Sequence, residues 1–316
     1  MSFQYQLTVR FPKYPFSIGY DSSIISFGSC FAQHMGEQLA FAKFPITDLP
    51  FGIQYQPLAI SKLINMAIDQ GSLQAKDLVF DNYLWHSWDF HSDFSAPHKK
   101  QVLESTNAAL QSVTKHILKA DVLLITFGTA RVFEHIESST RVNNCHKFPA
   151  SHFREKTLNV EQIVTSWQLL IRRLLSLNSN LKIVFTVSPV RHRRGGMVKN
   201  QRSKSRLHLA VETLTDTFEA AHYFPAYELF IDELRGYRWF ADDLCHPSSA
   251  AKSIVWSRFC ESFFSEKTQS ICKEVEKVMK GFMHRPFHRA SPKHQAFIAS
   301  LEAKKQALQE KHGIEI

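Results

Sequence analysis

A glycine and a serine near the amino terminus of the chain have the residue types and position of a nucleophile for acyl transfer. Gly28 and Ser29 follow a short apolar run, and a segment of helical period comes after them. Glycine permits a sharp turn from strand to helix, and backbone N–H groups at a helix start can stabilise a negatively charged oxygen. The turn predicts an exposed Ser29 hydroxyl beside such donors. The alternative is an ordinary turn in which the serine only caps the helix.

An aspartate and a histidine near the other end of the sequence have the spacing to complete such a site. Asp243 and His246 are three residues apart, and a segment typical of a helix follows from Pro247. A carboxylate at this spacing can hydrogen-bond Nδ1 of the imidazole, which leaves Nε2 free to take a proton from a nucleophile. Together the two segments predict a serine, histidine and aspartate site.

Cys30 is the competing nucleophile, since thiolates are activated at helix N-termini. Successive helix residues point about 100° apart, so only one of Ser29 and Cys30 can face the histidine. We expect Ser29 to face it and Cys30 to pack inward.

The elements that would position these residues are visible as alternating patterns along the chain. Short runs rich in Ile, Val, Phe and Thr predict strands at 24–27, 44–47, 122–127, 182–187 and 222–227. Segments of helical period predict helices at 32–42, 58–67, 104–118, 160–177, 201–218 and 247–264. Consecutive apolar residues are typical of strands covered on both faces, so the alternation predicts a parallel sheet between two layers of helices. Functional sites of such sheets lie at the carboxyl ends of the strands.

The domain organisation follows from where the alternating pattern ends. A segment of helical period that is rich in Lys and Glu begins near residue 265. No internal repeat and no low-complexity linker occur in the sequence. We predict one α/β domain over residues 1–264 and a helical C-terminal extension over residues 265–316. The segment 80–94 is dense in aromatic residues and follows neither period, which favours a hairpin or a substantial loop.

Composition excludes several classes of protein. The chain has 316 residues, 44% of them hydrophobic, which is enough for one large core. Its wholly apolar stretches are far shorter than the roughly 18 residues that suggest a membrane span. The first 20 residues lack the apolar core of a signal peptide, so we expect a cytoplasmic protein. The five cysteines contain no C-x-x-C pair, and no dinucleotide or phosphate-binding loop motif occurs, so we expect no cofactor.

The order of several short motifs resembles the GSCFA family, a branch of the SGNH hydrolase superfamily. The string from Gly28 to Ala32 is the motif that gives the family its name. Further matching motifs lie at 50–57, 126–130, 144–147, 188–192 and 243–247. The resemblance covers about residues 20 to 260. It implies a three-layer α/β/α, flavodoxin-like SGNH hydrolase fold and a serine esterase that forms an acyl-enzyme.

The resemblance also implies a role for each residue of the catalytic set. Ser29 would be the nucleophile, His246 the general base and then acid, and Asp243 its orienting partner. The oxyanion hole would include the Ser29 N–H and a glycine, for which Gly52 is the candidate.

The third oxyanion donor departs from the superfamily pattern. That motif normally reads G-x-N, whereas this chain has Gly128, Thr129 and Ala130. The side chain of Asn144 and the backbone of Gly128 or Ala130 are the candidates for the missing donor. Loss of one such donor typically costs about 2.7 to 4 kcal/mol of transition-state stabilisation.

Four side chains are candidates for substrate contact. They are His86 in the aromatic segment, His146 and His192 after predicted strands, and Arg191. The histidines and aspartates of the aromatic segment contain no tight H-x-x-x-H pair, which favours a polar pocket wall over a metal site. Arg191 opens a segment, 191–206, that holds seven basic residues and no acidic one. This segment can recognise a carboxylate or phosphate, and a solvated basic loop is the equal alternative.

The favoured substrate is a small-molecule or carbohydrate ester, with an O-acetylated sugar first, because the superfamily often deacylates sugars and the aromatic segment offers stacking surfaces. Acyl transfer to a hydroxyl acceptor would use the same site. A net charge of +9 raises nucleic-acid binding as an alternative of a different class, but no nucleic-acid-binding motif supports it. A non-catalytic relative that only binds ligand is a further alternative, which the intact Ser29, Asp243 and His246 set disfavours.

Overall fold

The central element of the fold is a parallel sheet. The computed structural model describes residues 7–316. In chain order, the strands of this part are β1 (Ile24–Gly28), β2 (Ile46–Asp48), β3 (Leu78–Asp81), β4 (Leu84–Ser87), β5 (Val122–Phe127), β6 (Arg131–His135), β7 (Thr140–Val142), β8 (Phe153–Thr157), β9 (Lys182–Val187) and β10 (Ala221–Tyr223). The central sheet has the order β10-β9-β5-β1-β2, and all its pairs are parallel. Numbered along the chain, this is the 2-1-3-4-5 order of flavodoxin-like folds.

The helices of the described residues cover both faces of the sheet. They are α1 (Cys30–Phe41), α2 (Pro57–Ile68), α3 (Lys99–Ile117), α4 (Val160–Leu177), α5 (Gly196–Thr217), α6 (Ala226–Glu228), α7 (Ser249–Phe263), α8 (Glu266–Phe282) and α9 (Pro292–His312). One buried cluster joins a face of β1, β5 and β9 to α2, α3, α4 and α5, and a second joins the opposite face to α1, α7 and α8. The predicted three-layer α/β/α fold is therefore confirmed.

The side chains of β5 explain why two layers form. All six residues of β5 are buried, and they alternate between the clusters: Leu123 packs with the first and Leu124 with the second. A strand without a polar face needs apolar cover on both sides. Trp167 of α4 and Phe259 of α7 contribute to these covers from opposite layers.

Two antiparallel pieces are attached to the central sheet. The hairpin of β3 and β4 lies in the aromatic segment, where a hairpin or loop was predicted. The three-stranded sheet β7-β6-β8 follows β5 and was not predicted. Its strands β7 and β8 are mostly exposed and rich in charged residues, so they lack the apolar pattern of the central strands.

The C-terminal helices pack on the α/β layers. Ile271, Val275 and Val278 of α8 form a buried cluster with Leu308 of α9 and Ile314. The Trp256 indole of α7 donates to Glu276 of α8 at 2.7 Å. The predicted C-terminal helical region is confirmed, and its treatment as a separate unit from residue 265 stays a prediction. None of the described helices is long and apolar enough to cross a lipid bilayer.

Candidate active site

The turn between β1 and α1 is held against the neighbouring strand. Gly28 has φ +145°, and a Cβ at this position would lie 2.4 Å from the carbonyl oxygen of Thr126. The N–H of Ser29 donates to the same carbonyl at 3.3 Å. Only glycine fits this approach, because an L-residue would be strained and would clash with β5. The turn thus begins α1 at the carboxyl ends of β1 and β5.

Ser29 is the N-cap of α1. Its Oγ accepts a hydrogen bond from the N–H of Phe31 at 3.4 Å, and the residue is only 1% exposed. The side chain contributes to a cavity wall, but its hydrogen bond is the one that a capping serine makes. Ser29 therefore caps α1, as the alternative interpretation of the sequence predicted.

Cys30 is the side chain that contacts His246. Its Sγ lies 3.6 Å from Nε2 of His246, across 216 positions of sequence. Cys30 therefore does not pack inward as expected, whereas the role of Ser29 as the nucleophile stays a prediction. Cys30 is half-buried and lines the same cavity.

Asp243 and His246 make the hydrogen bond that their spacing predicts. Nδ1 of His246 lies 2.5 Å from Oδ2 of Asp243, while Oδ1 accepts the backbone N–H groups of His246 and Cys245 at 3.0 and 2.9 Å. These hydrogen bonds, first that of the His246 N–H, hold the pKa of the Asp243 carboxyl far below its usual range. The carboxylate is therefore ionised, and Nε2 of His246 is directed at Cys30.

A closed turn places this pair. Ala241 donates its N–H to the carbonyl of His246 at 2.8 Å, and Phe240 forms an isolated β-bridge with Pro247. Ser248 then caps α7 through its side chain. The short turn before Pro247 and the helix cap after it together hold His246 just before α7.

The thiol of Cys30 has opposing influences on its pKa. Burial raises this pKa above its ordinary value, while the cation of Lys204 and the N–H groups of Cys30 and Phe31 lower it. Burial is the largest effect, so the thiol is protonated at neutral pH. A base is needed to form the thiolate, and His246 is in contact with it.

Lys204 lies beneath the site and was not singled out from the sequence. Its Nζ is fully buried and donates to the carbonyls of Gly128 and Ser188 at 2.7 and 2.5 Å. Burial lowers the pKa of this amine to about 7. The sequence pattern does indicate the burial of Lys204, because this residue lies three positions before Leu207 on the buried face of α5.

All the predicted oxyanion donors are bonded to other groups. The acceptors are the Thr126 carbonyl for the N–H of Ser29 at 3.3 Å, the Leu49 carbonyl for that of Gly52 at 2.7 Å, the Tyr55 carbonyl for that of Gly128 at 2.8 Å, and Ser92 Oγ for the Asn144 side chain at 3.1 Å. The N–H of Ala130 likewise donates to Ser203 Oγ at 2.8 Å, and the predicted oxyanion hole stays a prediction. The N–H of Cys30, first residue of α1, has no carbonyl acceptor among the described residues.

A cavity of about 460 Å³ opens at Cys30 and His246. It lies at the carboxyl ends of β1, β5 and β9, where sites of doubly wound sheets collect. Its apolar wall comes from Tyr55, Val132, Phe133, Val142 and Val190. Its basic side chains are Arg131, Arg191, His192, Arg193 and Arg194.

Two of the four predicted substrate contacts line this cavity. Arg191 and His192 do so, and Nε2 of His192 lies 3.1 Å from the Gly128 carbonyl. Burial, followed by the cation of Lys204, lowers the pKa of His192 to about 4.

The other two predicted contacts, His86 and His146, lie outside the cavity lining. Their imidazoles stack with ring centroids 4.6 Å apart. The nitrogens of His86 contact Ser95 Oγ at 2.7 Å and the Asp81 carbonyl at 3.3 Å. Those of His146 contact the Ser87 carbonyl at 2.7 Å and Ser92 Oγ at 3.2 Å. Both histidines are hydrogen-bonded through both ring nitrogens, and their role as substrate contacts stays a prediction.

Within residues 7–316, no group of three or more His, Cys, Asp or Glu side chains is arranged to hold a metal ion. The fold and the site together define a doubly wound α/β protein with a thiol, an imidazole and a carboxylate in line at the ends of its strands.

The chain belongs to the GSCFA family, whose sequence profile matches residues 23–259. A second profile, GSCFA domain protein, C-terminal domain, matches residues 275–314. The family predicted from the short motifs is thus confirmed. No curated protein sequence matches the chain.

Among solved structures, the fold is similar to that of a carbohydrate esterase family 3 protein from Talaromyces cellulolyticus. The TM-score is 0.35 at 10% sequence identity, over 80% of this chain and 99% of that one. A likeness at this distance carries no argument about activity.

Proposed function

We propose that the protein is an ester hydrolase that forms a covalent acyl-enzyme on Cys30, with His246 as the base and Asp243 as its orienting partner. The observation that carries this proposal is the 3.6 Å contact between Cys30 Sγ and His246 Nε2. A nucleophile, an imidazole and an orienting carboxylate in this order are the parts of a covalent acyl-transfer site. The proposal keeps the predicted histidine and aspartate and replaces Ser29 by the neighbouring thiol.

The reaction begins with proton transfer. His246 takes the thiol proton at Nε2 as Sγ attacks the ester carbonyl carbon, and Asp243 stabilises the imidazolium through Nδ1. The oxyanion lies against the N–H of Cys30, at the positive end of the α1 dipole. The carbon–oxygen bond to the leaving alcohol then breaks, and His246 returns the proton to that alcohol.

The second half of the reaction regenerates the enzyme. Water, deprotonated by His246, attacks the Cys30 thioester and releases the acid, and the proton returns to sulfur. A hydroxyl acceptor in place of water would make the same site an acyltransferase.

The aromatic segment lies outside the cavity, which removes one reason for expecting a sugar substrate. None of residues 83–94 lines the cavity, so stacking on this segment does not support a carbohydrate. The ring groups that do line it are those of Tyr55 and Phe133, with His192 and His246.

The basic segment is also less available to nucleic acid than its sequence indicates. Lys204 is buried, and Arg191, Arg193 and Arg194 line the cavity, so four of the seven basic side chains of 191–206 are buried or lie at the cavity. This arrangement supports a small-molecule site over a flat phosphate-binding surface.

The test is intact mass after incubation with a short-chain nitrophenyl ester. We expect one acyl adduct on the wild type and on Ser29→Ala, and none on Cys30→Ala. We also expect kcat/KM to fall by about 10²–10⁴-fold in His246→Ala, because the base is lost. Cys145→Ala is the matched control, since this other half-buried thiol does not line the cavity.

An adduct that persists in Cys30→Ala and disappears in folded Ser29→Ala would make the serine hydroxyl the nucleophile. No adduct on folded wild type, with every ester tried, would overturn the acyl-enzyme. Ser29→Ala itself should lose about 0.5–2 kcal/mol of stability, because it removes a helix cap.

A further inference from the structure

Three arginines of the cavity make no direct ion pair within the described residues. Arg191, Arg193 and Arg194 form no ion pair with any carboxylate of residues 7–316, whereas Arg131 is paired with Glu155. The one carboxylate in the lining is Asp243, which is hydrogen-bonded to His246. The cavity therefore carries a positive charge that its own walls do not neutralise.

The loop that carries these arginines is anchored by buried groups. Arg131 is only 8% exposed; its Nε donates to Glu155 at 2.8 Å, and its Nη1 donates to the carbonyl of Arg194. The N–H of His192 donates to Oδ1 of the buried Asn200 at 2.9 Å. A buried arginine and a buried amide thus hold the backbone of the arginine loop.

A backbone hydrogen bond joins the same loop to the turn that carries His246. The N–H of Arg191 donates to the carbonyl of Cys245 at 3.4 Å, and Cys245 directly precedes His246. Gly195 and Gly196 then reverse the chain with φ of +90° and +83°, conformations that favour glycine. The arginines are consequently fixed beside the predicted base.

The guanidinium groups are arranged to bind an anion. That of Arg191 lies 4.3 Å from the ring centroid of Phe240, and that of Arg194 lies 5.5 Å from the centroid of Phe133. A planar guanidinium can donate two parallel hydrogen bonds to a carboxylate or phosphate. The neighbouring Val132 and Val142 give an apolar wall that fits an acyl chain.

We infer that the substrate of this site is an anionic acyl ester or thioester. Its carboxylate or phosphate is bound by Arg191, Arg193 and Arg194 while its carbonyl lies against Cys30. This inference rests on the proposed function. The anion has two possible sources: a carboxylate at the far end of the acyl chain, or a phosphate on the leaving alcohol or thiol.

Binding to the Cys30→Ala variant separates recognition from turnover. We would measure dissociation constants by calorimetry for two probe pairs that differ in charge. The acyl-side pair is the mono-nitrophenyl ester of glutarate and its methyl diester, and the leaving-group pair is S-butyryl phosphopantetheine and S-butyryl pantetheine. We expect the anionic member of at least one pair to bind about 10- to 100-fold more tightly, the range for charge-assisted hydrogen bonds.

Arginine variants identify the side chains responsible. Replacing both Arg193 and Arg194 by Ala in the Cys30→Ala background should reduce the preference for the anion to the part that Arg191 alone supplies. These two side chains are exposed, so the replacement leaves the core unchanged. Arg202→Ala is the matched control, because Arg202 is an exposed arginine of the same basic segment that does not line the cavity.

Equal affinities within both pairs, or a preference that is undiminished by loss of Arg193 and Arg194, would overturn the anion site. The acyl adduct on Cys30 would then still support an esterase. Conversely, a charge preference that depends on the arginines, without any adduct on the wild type, would retain the anion site and overturn the acyl-enzyme. The pair that shows the preference identifies the source of the anion.

Discussion

Lys204 has the most demanding environment of any single residue near the site. Its amine is fully buried, and its hydrogen bonds go to the carbonyls of Gly128 and Ser188. Removing an ammonium from water is costly, and two neutral carbonyls offset only part of that cost. The pKa of Lys204 is accordingly lowered to about 7. The amine joins the ends of β5 and β9, so it positions two walls of the cavity.

This lowered pKa predicts a pH-dependent contribution to stability. From about pH 7 to the ordinary lysine pKa of 10.5, the unfolded chain holds a proton on Lys204 that the folded protein has released. Because the unfolded state binds more protons there, stability rises with pH in this window. We expect the unfolding free energy of wild type, relative to Lys204→Met, to rise by about 1 kcal/mol per pH unit.

Urea denaturation at pH 6.5, 8 and 9.5 checks this difference. Lys199→Met is the control, because Lys199 is an exposed lysine of the same helix. A difference between wild type and Lys204→Met that stays constant over this range would contradict the assigned pKa.

At the scale of elements, the turn from β1 to α1 depends on a close approach of two strands. Gly28 and Gly236 have nearly the same φ, +145° and +142°. A Cβ on Gly28 would meet Thr126, whereas a Cβ on Gly236 would meet nothing within 4 Å. The two glycines therefore separate backbone strain from steric overlap.

We expect both Gly28→Ala and Gly236→Ala to lose about 1–3 kcal/mol of stability through backbone strain. Gly28→Ala should lose more, because its Cβ also forces β1 away from β5. It should also slow acylation of Cys30, since this residue begins the helix that follows. Urea unfolding and the rate of adduct formation measure the two effects. Equal losses in both variants would show that the approach to Thr126 imposes no steric limit.

The antiparallel sheet β7-β6-β8 is the second element that shapes the site. Arg131, Val132 and Phe133 of β6 and Val142 of β7 line the cavity. The ion pair between the buried Arg131 and the more exposed Glu155 also joins β6 to β8 beneath the arginine loop. This insertion therefore supplies both the apolar wall and the anchor of the basic residues.

At the scale of the whole molecule, the C-terminal helices stabilise a face remote from the site. The buried cluster of α8 and α9 packs against Tyr20, and no residue of these two helices lines the cavity. Their contribution should therefore be to stability and not to catalysis.

Leu308→Ala tests this separation, because Leu308 is 6% exposed within that cluster. We expect the free energy of opening of α9 to fall by about 2–5 kcal/mol, the range for a buried leucine. Hydrogen exchange of the α9 amides measures this change, while kcat/KM should equal that of wild type. Leu177→Ala, at a half-exposed leucine of α4, is the control. A large fall in kcat/KM would mean that the C-terminal helices act on the site.

The sequence by itself determined the backbone plan. Consecutive apolar residues at 122–127 and 182–187 report burial on both faces, and helical periods between them report the covering layers. The hydrogen bond of Asp243 to His246 was also predictable, because three residues of one turn bring the two side chains together. Such features depend on neighbours in the chain, so a local pattern encodes them.

Only the tertiary structure decided which side chains meet. That Cys30 contacts His246 depends on the direction in which α1 leaves the sheet and on a turn 216 positions away. The predicted oxyanion N–H groups of Ser29 and Gly128 are occupied by carbonyls of other segments. Lys204 sits among basic neighbours in the sequence, yet the packing of α5 against the strand ends buries it. Contacts of this kind arise from the packing of layers, which residue types and spacing along one chain do not specify.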